Sequence, residues 1–327
     1  MSKTLFGLAA SALLLLSTAR AQVVWQDHFD TYSLGPLAAQ SDWDEWYSGS
    51  NTDCDVTTAF AFSGTKSIKV TGPPTYTNPT DVVYQFSQLP GGLPVAGQWL
   101  FSIRTYIATG SKGVGYFIMM NQYGGPDSWS IEIKFRPNVG DIYNDGKGHQ
   151  SIPIVFDKWI ELRAYIDLDN DKVYVFYGDT IFINGESWKD GISGGGLAQI
   201  AAVDLYGGAA GNPIKEMYYD DAQIEKVDKF PVVLNSAPNP VHTGDTINLT
   251  TMAPTLPNAT AALFVWDING VPVIHLLAVG TIDITGKWTL SGPVVSGLSG
   301  LDINFRTLVV GPLGGTIQGQ KELVQFR

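Results

Sequence analysis

Cysteine is almost absent: Cys54 stands alone, so no disulfide can close within the chain. Asp53 and Asp55 flank it and no basic neighbour in sequence lowers its pKa, which argues against a reactive thiol. Histidine is scarce too. His28, His149, His242 and His275 are the only four, no Gly-x-Ser-x-Gly elbow accompanies them, and the His and Cys spacing of a zinc site is missing. Beyond the amino terminus no apolar run reaches the roughly 18 residues of a membrane helix, which excludes a helical span. Glu and Lys are sparse, and after Gln22 no window of about 11 residues sustains a helical stripe.

Positive charge is short as well: 20 Lys and Arg face 31 Asp and Glu, a formal charge of −11. Nucleic acid and anionic membrane are poor partners for such a chain, because counterion release needs a basic footprint. The deficit is uneven. From residue 230 onward Lys287, Arg306, Lys321 and Arg327 nearly balance Asp245, Asp267, Asp283, Asp302 and Glu322, so the acidity belongs to the earlier part.

The start of the chain reads as a secretory signal peptide over residues 1–21: Lys3, an apolar run from Leu5 to Leu16, then Ala19-Arg20-Ala21 as the cleavage site. Loss of Lys3 and Arg20 takes the formal charge from −11 to −13. The expected localisation is therefore secreted, or held at the cell surface after export.

Gly, Pro, Thr, Tyr, Phe and Val are plentiful, which together with the missing helical stripe predicts an all-β protein. About eleven strand candidates fall between residues 22 and 228, separated by turn signals such as Gly91-Gly92, Gly124-Gly125-Pro126 and Asn184-Gly185. That number fits one large two-sheet sandwich. In one candidate Trp129, Ile131, Ile133 and Phe135 share a side, and Ser130, Glu132, Lys134 and Arg136 the other. From residue 229 to 327, roughly seven short strands have the rhythm of an immunoglobulin-like sandwich without its cysteine pair.

The clearest unit is a β-hairpin. Ile160, Leu162, Ala164 and Ile166 alternate with Glu161, Arg163, Tyr165 and Asp167; the acidic run through Asp171 turns the chain, and Val173 to Tyr177 forms the return strand. Asp167, Asp169 and Asp171 match the first positions of a calcium loop, but Lys172 and Gly178 occupy the places that need Gly and Glu. An Asp-rich turn is the expectation.

Asp27-His-Phe-Asp-Thr-Tyr32, Trp43-Asp-Glu-Trp46, Ser63-Gly64, Asp81-Val-Val-Tyr84, Gly113 to Asn121, the Trp159 to Gly178 hairpin and Tyr218-Tyr-Asp-Asp221 together resemble secreted bacterial jelly-roll domains of the concanavalin A-like lectin/glucanase superfamily. The hairpin step is similar to the core of laminin-G-like modules, and the tail to small β-domains that end secreted bacterial proteins. This likeness implies a jelly roll over 22–228 and a superfamily of lectins, glycosidases, lyases and adhesion modules. It also implies a structural Ca2+ between the first and last strands, for which Asp27, Asp30, Asp220 and Asp221 are the matching residues. The carboxylate motif of the glucanase branch and the Tyr/Lys strand of the lyase branch are absent.

Three functional expectations follow. Aromatic rings in polar, turn-rich stretches, among them Trp43, Trp46, Tyr47, Tyr123, Trp129, Trp188 and Tyr206, can stack on sugar faces. Trp46, Tyr123 and Trp188 lead that set, and Asn121 and Gln122 would recognise hydroxyls, giving a lectin-like carbohydrate-binding protein without catalysis. The alternative is a polysaccharide-cleaving glycosidase or lyase using Glu132 and Glu161 in one cleft. A structural adhesion or matrix protein is the third reading, with the terminal unit as spacer or surface-association module in any case.

Overall fold

Alternation along the strands sorts the chain into faces, and those faces pair. The computed structural model describes the chain apart from residues 1–21, 47–49, 73–78, 179, 209–211, 213, 228–231, 254, 255, 257, 285 and 311–315, with the side chains of 233, 235 and 316–321 also outside it. The signal peptide, Tyr47 and the expected junction at 228/229 lie outside the described residues. What is described is all-β, built from antiparallel sheets.

Between Gln22 and Val227 a nine-stranded and a seven-stranded sheet pack face to face. Central in the first lies Gln98–Tyr106, hydrogen-bonded to Ile160–Asp167 on one side and Met217–Val227 on the other. The opening strand Gln22–Asp27 also pairs with Met217–Val227, so the two ends of this unit are neighbours. The seven-stranded sheet runs, edge to edge, through Ser151–Pro153, Asp141–Asn144, Ser128–Arg136, Gly115–Gln122, Ala202–Tyr206, Asp81–Gln85 and Trp43–Glu45. Phe101, Ile103, Leu162 and Ile166 from one sheet meet Phe117, Met119, Ile133 and Phe135 from the other in a continuous core. Burying each such side chain stabilises the fold by about 1.5–3 kcal/mol before entropy is counted.

Beyond residue 232, a three-stranded sheet (Val233–Ala237, Thr246–Met252, Lys287–Pro293) and a four-stranded sheet (Val271–Thr281, Thr260–Ile268, Asp302–Val310, Thr316–Gln325) share a smaller core around Leu249, Leu263 and Phe305. Several short strands escape sequence reading because two or three residues carry no period: Gly35–Pro36, Trp43–Glu45, Asp55–Thr57 and Ser151–Pro153. Asn184-Gly185, read as a turn, lies instead inside the strand Thr180–Glu186, where a register shift and the positive φ of Gly185 absorb the irregularity.

The hairpin Ile160–Asp167/Lys172–Tyr177 sits in the nine-stranded sheet, with Leu162, Ala164 and Ile166 in the core. Its tip is held by protein groups. Asp171 accepts from Ser187 Oγ (2.7 Å) and Lys189 N (2.8 Å), Asp169 from Gly97 N (2.8 Å), and Asp167 from Asn170 and Gln98. Its outer face is closed: Tyr165, Tyr174 and Phe176 cluster with Met252 of the second pair of sheets.

Candidate functional site

The outer face of the seven-stranded sheet gathers aromatic and acidic side chains. Cross-strand register lines up Glu132, Ile118, Asp204 and Val83 in one row, and Lys134, Tyr116, Tyr206 and Asp81 in the next. Because Phe117, Met119, Val82, Tyr84, Val203 and Leu205 point into the core, these residues face the other way.

Two bulges then place a tryptophan on that face. Met119 pairs with Ile131, but Met120 pairs with Trp129, leaving Ser130 as the extra residue; a second shift leaves Asn121 unpaired on the facing strand. Trp129 therefore joins Met120 and Ile118 on the outer face, opposite to Ile131. Simple alternation, which grouped Trp129 with Ile131, is corrected by this bulge. The loop after Thr180–Glu186 braces it: Ser193 N donates to Trp129 O (3.1 Å), Trp129 N donates to Ser193 Oγ (3.0 Å), and a Cβ on Gly191 would lie 2.0 Å from Ser130 O.

The result is a groove of about 370 Å³. Trp46 and Trp129 form one wall, their rings 6.1 Å apart and inclined by only 18°. Tyr123 meets Trp46 edge-on at 5.1 Å and donates from its hydroxyl to Trp46 O (3.1 Å). Tyr116 and Tyr206 stand opposite, 5.2 Å apart. All five rings are half-buried, so each has protein on one side and solvent on the other.

Asp81, Asp127, Glu132 and Asp204 also line the groove. Asp204 is 3% exposed and its carboxyl lies against that of Asp81. Burial pushes Asp81 up to about 7, and burial followed by the Asp81 charge raises Asp204 well above the carboxylate range. Burial, and for Asp204 the neighbouring Asp81 charge, thus favours the protonated form of the pair. Glu132 is raised by burial and by its hydrogen bond to Asp145. Lys134 lies 2.6 Å from Asp145 and 3.5 Å from Glu132, and is thereby committed.

Of the residues expected to contact a ligand, Trp46 lines this groove; Tyr123 packs edge-on against Trp46 and is not among the lining residues, and the half-buried Gln122 is next to it in sequence. Trp188 does not line the groove. It is fully buried, its Nε1 donating to Gln199 O (2.8 Å), because the glycine-rich loop folds over it as an extra piece of core. Asn121 is also fully buried and donates to Trp188 O (3.2 Å), so it shapes the loop and presents nothing to a ligand. Trp43 is a core residue as well.

Glu132 and Glu161 do not share a cleft. Glu161 is on the nine-stranded sheet, 3.4 Å from Arg104 and 3.5 Å from Arg163, in a cross-strand ion-pair lattice. Glu132 shares its groove instead with Asp81 and Asp204, which sequence reasoning missed. The signal was there: Asp204 interrupts the apolar strand Ala202–Tyr206, and an acid inside a buried strand demands a reason.

The four aspartates proposed for calcium do not fit the ion as arranged. Asp27 accepts from Phe29 N, Tyr32 Oη and Trp43 Nε1; Asp220 from the amides of Phe62, Ser63 and Asp221. Asp221 is 2.6 Å from His28 Nδ1 and accepts from Ser63 Oγ, while Asp30 accepts from Thr65 N and Lys66 N. Both oxygens of Asp27 and Asp220 and one each of Asp30 and Asp221 already have donors, and among the described residues no three His, Cys, Asp or Glu side chains converge as a cage. Cys54 is buried and its thiol raised, first by burial.

No family model matches the chain, and no curated protein does. Among solved structures it is similar to a sialidase, at 12% identity and a TM-score of 0.45 over 64% of this chain and 19% of that one. A catalytic domain of a glycoside hydrolase family 131 protein from Coprinopsis cinerea matches at 12% identity and 0.42, over 62% and 94%. A xylan-binding domain of carbohydrate-binding module family 22 matches at 10% and 0.33, over 64% and 97%. The chain thus spans about a fifth of the sialidase's length. Likenesses this distant assign neither substrate nor activity, which rest on the residues of the groove.

Proposed function

We propose that this is an exported protein whose seven-stranded sheet binds a polysaccharide chain in the groove between Trp46/Trp129 and Tyr116/Tyr206. The observation that carries the proposal is the pair of nearly parallel, half-buried tryptophans beside a row of carboxyls. Flat rings stack on the apolar faces of pyranose units, and carboxyls accept from their hydroxyls; this combination suits sugars better than purely apolar ligands. The signal peptide read from the sequence supports export, and the second pair of sheets serves as spacer or surface-association module. Among the described residues no helix is long and apolar enough to cross a membrane. A glycan array on the chain from Gln22 onward, followed by titration calorimetry of Trp129→Ala, tests the reading. Binding weakened on the order of thirtyfold in the variant is expected, equivalent to about 2 kcal/mol. Absence of any glycan binding would contradict it.

One observation favours a second reading, cleavage of the bound chain. Burial favours the protonated form of the Asp81–Asp204 pair, which shares its groove with Glu132, and a raised acid beside a second carboxyl is the division of labour that acid/base glycoside hydrolysis needs. Turnover that disappears in Asp204→Asn and Glu132→Gln while binding persists establishes it; binding without turnover leaves the protein a lectin.

A further inference from the structure

The groove is lopsided in charge. Asp81, Asp127, Glu132 and Asp204 line it, and Lys134, the cation nearest to Glu132, is already engaged by Asp145 and Glu132. No arginine or unengaged lysine is among its lining residues. Asp81 Oδ1 and Asp204 Oδ1 are buried and receive no N–H or hydroxyl donor among the described residues. The hydrogen bond that these two carboxyls make runs between them, and a donor brought by a ligand in the groove would take its place.

From this we infer that the groove takes a glycan bearing free amino groups, a polymer of glucosamine type, with one ammonium set against the Asp81–Asp204 pair and the pyranose rings against Trp46 and Trp129. The inference rests on the groove being the glycan site. An ammonium brings three donors and the positive charge that the pair otherwise takes from a proton, whereas a neutral hydroxyl brings one donor and no charge. Uronate or sulfated chains meet the opposite situation: their anions would enter a low-dielectric groove already carrying four carboxyls and offering no uncommitted cation. Selectivity of this kind places the negative charge where binding is read, and it differs from diffuse attraction to an acidic surface because it depends on two named residues.

The test compares hexasaccharides by calorimetry on the chain from Gln22 onward at physiological salt. The probes are the β-1,4-linked glucosamine hexamer, its fully N-acetylated form, cellohexaose and a hexauronate, with hexalysine as a charge control. The expected result is that the glucosamine hexamer binds at least tenfold more tightly than the acetylated and neutral hexamers and that the hexauronate does not bind. Asp81→Asn and, independently, Asp204→Asn should bring that advantage to within twofold, with circular dichroism melting reporting whether each variant folds. Acetylated or neutral hexamers binding as tightly as the amine overturn the inference and leave the groove reading standing. Hexalysine matching the glucosamine hexamer, or an amine preference that survives in a folded Asp81→Asn, also overturns it, since either outcome means nonspecific attraction. No binding by any hexamer contradicts the groove reading itself. The comparison between hexamers needs no variant, so a misfolded substitution leaves the inference exposed to refutation.

Discussion

Asp81 and Asp204 are held at a cost to the fold. A carboxyl whose native pKa lies above its unfolded value binds its proton more strongly when folded, so stability is greatest at low pH and is lost as pH rises through the folded pKa. For Asp81 the window runs from about 4 to about 7. Asn at this position cannot ionise, and its amide can donate to Asp204. Asp81→Asn is therefore expected to exceed the wild type in stability at pH 8 by on the order of 1–2 kcal/mol and to show no advantage at pH 4, read by urea denaturation at the two pH values. Equal stability at both would remove the buried acid pair from the account. Such a trade of stability for a charged site is what functional grooves commonly show. At this scale the sequence was legible in part. Trp46 was readable because polar residues surround it, and it lines the groove, whereas Tyr123 packs against Trp46 without lining it. Trp188 has the same kind of neighbours yet is fully buried, because neighbours in sequence do not say which side of a loop folds inward.

At the scale of the element, the two bulges decide where Trp129 points. A strand read by strict alternation sends it into the core with Ile131; the extra residue Ser130 reverses it. No period in a single strand announces a bulge, since the irregularity is defined against the partner strand. What holds this one is the loop carrying Gly191, whose missing side chain lets the backbone approach Ser130 O. Gly191→Ala would place a Cβ 2.0 Å from that oxygen. A loss of stability on the order of 1–3 kcal/mol is expected, together with glycan affinity reduced at least several-fold as Trp129 leaves its place beside Trp46. Thermal melting and calorimetry on the same sample check both, and a variant with unchanged melting and binding would mean the loop does not set the tryptophan. The hairpin Ile160–Asp167/Lys172–Tyr177 is the contrasting case. Its strands, core face and tip were all readable, because a period of two bounded by an Asp-rich turn is local information.

For the whole molecule, the question is which broad face remains open. The all-β class and the face-to-face sheets follow from composition and alternation, and the buried core between the sheets is drawn from the apolar positions of their long strands. Composition could not say that the nine-stranded sheet is partly closed from outside by Arg104, Glu161, Arg163 and the Met252 contact, while the seven-stranded sheet keeps an aromatic groove. That assignment depends on contacts between segments far apart in the chain, including Asp81 against Asp204. It also moves Glu161 from candidate catalyst to scaffold and leaves Glu132 with two aspartates as company. The most direct test is a crystal structure of the chain from Gln22 onward with the tightest-binding hexasaccharide. Sugar rings stacked at Trp46 and Trp129, with donors reaching Asp81 and Asp204, are the predicted result; a saccharide on the nine-stranded sheet or on the second pair of sheets would contradict it.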